Sequence, residues 1–111
     1  MSQFLIMLYQ KPGWTDRLSP DEMQKALEKY TAWAQRPYGI DAKRLAPGPG
    51  RVIQPEGGQL RVTDGPYTEA KEVMGGFYLI EAASYEEAVQ RAMDHPHLEY
   101  GGKVEIRKLW E

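Results

Sequence analysis

Two strand-length segments, Gln3–Tyr9 and Gly76–Ala83, are apolar on both of their faces, and this limits the possible folds more than any other feature of the chain. Side chains of a strand alternate between the two sides of a sheet, so a strand apolar at successive positions needs cover on both sides. Only two stretches show helical spacing and could supply it. The first opens with Ser19-Pro20-Asp21-Glu22, where Ser19 suits the N-cap, Pro20 the first helical position and Glu22 the reciprocal place of a capping box. Met23, Ala26, Leu27, Tyr30, Trp33 and Ala34 follow on one face, and Pro37 and Gly39 end the helix. The second stretch repeats the pattern. Ser84 is the cap, Glu87 its partner, and Tyr85, Ala88, Val89, Ala92 and Met93 form the stripe before His95-Pro96 stops it.

The rest of the chain reads as extended segments and turns. A short strand is expected at Ala42–Leu45, followed by the loop Ala46-Pro47-Gly48-Pro49-Gly50. Arg51–Gln54 and Gln59–Thr63 read as a hairpin around Pro55-Glu56-Gly57-Gly58, and Val104–Trp110 as a last strand. Strand–helix–strand thus occurs twice, which predicts an α+β fold: a ferredoxin-like antiparallel sheet with two helices on one face. Two helices cover one side of that sheet only. The other side would be a large apolar patch of a kind rare on soluble monomers, so a homodimer packed through the sheet face is expected.

The length of 111 residues fits a single domain over 1–111. A net charge of −2 and a pI near 5.7 argue against direct nucleic-acid binding, which needs a basic footprint. There are no cysteines, which excludes disulfides, thiolate metal sites and a Cys nucleophile. The apolar run Phe4–Tyr9 is too short for a signal peptide or a membrane span, so a cytoplasmic protein without membrane association is expected. Gly48-Pro49-Gly50-Arg51 lacks the ending of a phosphate loop, and no dinucleotide fingerprint or serine nucleophile elbow appears; no cofactor is expected.

The block Val62-Thr63-Asp64-Gly65-Pro66-Tyr67-Thr68-Glu69-Ala70-Lys71-Glu72, followed by Gly75-Gly76-Phe77-Tyr78-Leu79-Ile80-Glu81, resembles the DGPF branch of the YCII-related family. That family usually has Phe at the position of Tyr67. The resemblance extends over nearly the whole chain, including Ser19–Glu22 and Gly101-Gly102-Lys103-Val104-Glu105-Ile106-Arg107. It implies a dimeric α+β barrel. The wider superfamily includes lactone dehalogenases and monooxygenases with sites between sheet and helices, and similar domains occur beside or fused to alternative sigma factors. Other YCII-related proteins carry a His–Asp pair proposed as catalytic, with the His on the first helix; the first helix here has no histidine. Fold alone does not supply function.

Several residues are candidates for chemistry, and each also has a plain structural role. Asp64 can bond the backbone of a turn or present a carboxylate at a pocket rim, with Gly65 supplying a positive φ and the Tyr67 hydroxyl beside it. His97 is a candidate acid or base, because imidazole titrates near neutrality; near a helix C-terminus it can equally serve the dipole. His95 and His97 could form a metal pair in an extended segment, but no further ligand set has recognisable spacing, so no metal site is expected. Arg44 could clamp an anionic substrate or simply keep an edge strand soluble. Lys71 could line a pocket mouth or pair with Glu72 on a solvated loop. Trp14, Trp33 and Trp110 read as core or interface residues.

Two functions of different class follow. In one, Asp64 and His97 act as a catalytic pair on a small molecule bound by Arg44, Tyr67 and Lys71 in a cavity between sheet and helices. A carboxylate beside His97 would then make it hold its proton more tightly. In the other, the chain is a non-catalytic accessory or regulatory dimerisation domain.

Overall fold

Both main helices begin where the serines place them. Ser19 Oγ accepts from Glu22 N at 3.1 Å and Glu22 Oε1 accepts from Ser19 N at 2.9 Å, a complete capping box opening α1 (Pro20–Ala34). Ser84 Oγ accepts from Glu87 N at 3.2 Å at the start of α2 (Tyr85–Ala92), while Glu87 Oε1 takes the N–H of Ala83 instead of Ser84. The structure, a computed structural model, describes residues 1–65 and 72–111. Two further turns were not expected from the sequence. A 3-10 turn occupies Trp14–Arg17, and Pro96 starts a third helix, α3 (Pro96–Glu99), where a loop was expected.

The strands are β1 (Ser2–Gln10), β2 (Gly39–Arg44), β3 (Gly50–Glu56), β4 (Gln59–Gly65), β5 (Val73–Ala82) and β6 (Lys103–Lys108). Four of them form one antiparallel sheet in the order β2-β5-β1-β6, the ferredoxin-like arrangement. The two doubly apolar segments are therefore its central strands. On one face Phe4, Ile6 and Leu8 of β1 and Tyr78, Ile80 and Ala82 of β5 pack with Trp33 of α1 and with Ala88 and Ala92 of α2. The opposite face carries no helix among the described residues. There Leu5 stands opposite Leu79 and Met7 opposite Phe77, all four only partly buried. Charged residues border this block in the same rows, with Asp41 and Lys43 on β2 and Arg107 and Glu105 on β6.

β3 and β4 form a separate two-stranded sheet. Residues paired across it share a face, which puts Ile53, Val62 and Leu60 together on one side, 65%, 60% and 74% exposed. This hairpin projects as an arm. The chain has a radius of gyration of 16.0 Å, against about 13 Å for a compact chain of this length. No helix among the described residues is long and apolar enough to cross a membrane.

Candidate functional site

The densest polar cluster grows from the tripeptide His95-Pro96-His97. Pro96 takes the first position of α3, and the His95 side chain caps it, its Nδ1 accepting from His97 N at 3.0 Å. This corrects the expectation that the histidines lie on an extended segment with both side chains on one side. The turn closes at Gly101 (φ 81°), and Gly102 N donates to His97 O at 2.9 Å. A Cβ on Gly102 would overlap the His97 imidazole, so a glycine is what lets that ring lie flat against the chain. Both rings are driven into the core: His95 is 2% exposed and His97 1%.

Their hydrogen bonds determine their tautomers. His97 Nε2 lies 2.8 Å from Tyr9 O, and a carbonyl can only accept, so Nε2 carries the proton. Nδ1 is then an acceptor, and the Tyr30 hydroxyl donates to it at 2.6 Å. On His95 the cap bond occupies Nδ1, which leaves Nε2 as a buried N–H with no partner among the described residues. Its surroundings are aromatic, with the rings of Trp33 and Tyr78 each 4.7 Å away and Tyr30 at 5.4 Å. Trp14 stands edge-on to His97 at 5.9 Å and meets Tyr100 at a tilt, 5.7 Å between ring centres.

Such a setting favours neutral groups. Burial, then the neighbouring His97, Arg36 nearby adding to both, pull His95 down to about 3, and Asp94 only partly offsets them. Burial also pulls His97 below its ordinary value. Burial pushes Tyr78 up to about 12 and raises Tyr30 further, helped by Tyr78 and Tyr100 and opposed by the positive charge of Arg44. Proton transfer from Tyr30 to His97 would create a phenolate and an imidazolium, and burial opposes both. The pair is at rest.

Asp64 and His97 are not joined, whereas the charge of Arg44 reaches the Tyr30–His97 pair. Asp64 stands on β4, three-quarters exposed, 3.3 Å from Arg51 across the hairpin. Both ring nitrogens of His97 are committed to Tyr30 and Tyr9, and among the described residues no ion pair joins it to Asp64. Burial, only partly offset by the bond to the Tyr9 carbonyl, makes His97 give up its proton more readily than free imidazole, the reverse of what a carboxylate partner would produce. Gly65 continues β4 with no positive φ; its smallness serves packing, since a Cβ there would overlap Val52. Arg44 ends β2 on the surface, where its charge reaches Tyr30. Tyr67 and Lys71 lie outside the described residues. Trp33 is core, Trp14 partly buried and Trp110 fully exposed.

Sequence reasoning missed Tyr30, Tyr9 and Gly102 as partners of His97. Tyr30 was read only as part of an apolar stripe, and Tyr9 contributes a backbone carbonyl that no side-chain pattern reveals. The one available signal was Gly101-Gly102, four and five residues after His97, the spacing at which a single helical turn closes. The sequence matches the YCII-related domain over residues 2–111. It is also similar to an uncharacterized protein, R00369, of Rhizobium meliloti (strain 1021), with 31% identity over 114 residues, covering 96% of this chain and 90% of that protein.

Proposed function

The chain belongs to the YCII-related domain family, and we propose that it works as a non-catalytic homodimerisation module whose two copies pack through their open sheet faces. The observation that carries this reading is the block Leu5, Leu79, Met7 and Phe77, four apolar side chains in register on a face that no helix among the described residues covers. Two-fold packing also places unlike charges together. With the axis along the strands, Lys43 of each copy faces Glu105 of the other, and Asp41 faces Arg107. The neutral, buried state of His95 and His97 further favours a structural role over an acid–base one. Light scattering at micromolar concentration should give about twice the chain mass of 12.7 kDa, and the pair Leu5→Arg and Phe77→Glu should give monomers. A monomeric parent protein, or a dimer that survives both substitutions, would overturn the proposal.

One observation favours a second reading, a small-molecule ligand. The charge of Arg44 reaches the Tyr30 hydroxyl, which in turn meets His97. An anionic ligand beside Arg44 would gain from the guanidinium. A metabolite screen by thermal shift tests it, because ligands of the native state raise its melting temperature. A hit whose shift persists in Arg44→Ala counts against this site.

A further inference from the structure

The β3–β4 hairpin exposes an apolar stripe that nothing among the described residues covers. A two-stranded hairpin is at best marginally stable alone, yet Ile53, Val62 and Leu60 stand side by side, each at least 60% exposed. On the other side of the sheet lies a matching surface. Along β6, between that strand and α2 and α3, runs a groove of about 740 Å³ whose walls include Tyr85, Val89, Met93, Leu98, Val104 and Ile106. Met93 is 65% exposed there, and a methionine adapts readily to a visiting apolar side chain.

Within one chain the two surfaces are kept apart. The arm follows β2, at one edge of the sheet, and the groove borders β6, at the other edge. Arg44, Gly76, Leu8 and Val104 form one row across the four strands, so the arm departs from the same end of the sheet as the start of β6. A two-fold axis parallel to the strands carries the β2 edge of each copy over the β6 edge of the other. The row then places Arg44, from which residues 45–49 lead into the arm, at Val104 of the second copy, whose neighbours in the groove include Leu98, Met93 and Lys103. A two-fold axis across the strands would set β2 over β2 and leave the stripe in solvent.

We infer that the hairpin is an exchange arm: the Ile53–Val62–Leu60 stripe of one copy seats in the α2–α3–β6 groove of a second copy, and the reverse. This rests on the dimer reading above and specifies its geometry. Area and charge both favour it. The flat face of the sheet amounts to roughly 500 Å², short of the about 800 Å² per partner of a stable interface, and the arm and groove add the rest. Arg51 and Asp64 flank the stripe on the arm, and Lys103 lines the groove, so Asp64 meets a charge of opposite sign there. Lys103 also holds Glu72 at 2.6 Å at that rim.

The chain has no cysteine, so disulfide trapping can report the contact directly. Leu60→Cys and Met93→Cys, each on an exposed side chain, are made in separately tagged full-length copies, co-expressed and oxidised with copper phenanthroline. The expected main product is a mixed disulfide between position 60 of one copy and position 93 of the other, read by mass spectrometry. Separately, Ile53→Ser with Leu60→Ser should weaken the dimer at least tenfold while leaving the circular dichroism of the chain unchanged. A parent protein that is dimeric by light scattering but yields mainly 60–60 or 93–93 links, or none, overturns the exchange arm and leaves the sheet-face dimer standing. So does an unchanged dimer constant in the serine variant. A monomeric parent protein overturns both.

Discussion

The Tyr30 hydroxyl donates to His97 Nδ1 at 2.6 Å, joining the first helix to the last helical turn inside the core. Tyr30→Phe removes the donor and leaves a buried acceptor without a partner, which costs about 1–3 kcal/mol. Urea unfolding of the variant should show that loss. In the parent protein, the 15N shifts of His97 at pH 7 should report a neutral ring protonated on Nε2. An undiminished unfolding midpoint, or a ring protonated on Nδ1, would contradict the assigned bond.

Acid should destabilise the fold earlier than carboxylate titration alone predicts. Both histidines have an ordinary value of 6.5 and are lowered in the folded protein, His95 to about 3. Between those values the unfolded chain binds the extra protons, so stability is complete above 6.5 and falls as the pH drops through that window. Each histidine contributes a slope of up to about 1.4 kcal/mol per pH unit. Carboxylates act lower. Glu22 is held below 4.5 by the Ser19 backbone and hydroxyl. Asp94, though raised by burial, is brought below 3.8 by Trp33 and Arg36. Denaturant midpoints at pH 7.5, 6 and 5 should decline steadily; a flat series would mean that the histidines are not neutral and buried.

Gly102→Ala should destabilise by about 1–3 kcal/mol, the usual cost of overpacking a filled core. The cause would be contact with the His97 ring and not backbone strain, since Gly102 is absent from the positive-φ region. The same substitution made on a His97→Ala background should therefore cost much less. Equal costs in the two backgrounds would place the strain elsewhere.

Ser19→Ala and Ser84→Ala should each lower stability by about 0.5–2 kcal/mol. Thermal melts check this, and the loss at Ser19 should be the larger, because only there does the glutamate return to the cap backbone. A larger loss at Ser84 would show that the reciprocal bond adds nothing.

What could be read from the residues follows how locally each feature is determined. Ser19 and Ser84 mark helix starts within a few positions, because the cap, the proline and the glutamate act over a single turn. The central strands were legible because Phe4–Tyr9 and Phe77–Ile80 are apolar at every position, which no edge strand tolerates. Strand ends were less so: β5 starts at Val73, before the expected Gly76, and β2 at Gly39, before Ala42. The histidines misled for a physical reason. His-Pro-His reads as a polar break, yet Pro96 restarts a helix, and a cap bond, a phenol and a carbonyl satisfy three of the four ring nitrogens, enough to bury both rings. Asp64 misled in the opposite way. Asp-Gly-Pro is a strong local turn signal, but Asp64 and Gly65 continue a strand of the projecting hairpin, whose position depends on tertiary arrangement.

The bond from His97 Nε2 to the Tyr9 carbonyl joins residues 88 positions apart. β1, the strand it anchors, is central in the sheet and flanked by β5 and β6, both from the second half of the chain. Nearly every contact of the N-terminal strand thus has to wait for residues made much later, and loops of that length close slowly. While the chain is being synthesised, Phe4, Leu5, Ile6, Met7 and Leu8 emerge well before β5 and remain without strand partners until β5 has left the ribosome. For this fold the nascent chain passes through a long interval with its most apolar strand uncovered, and a holding chaperone bound to that strand would be its natural protection.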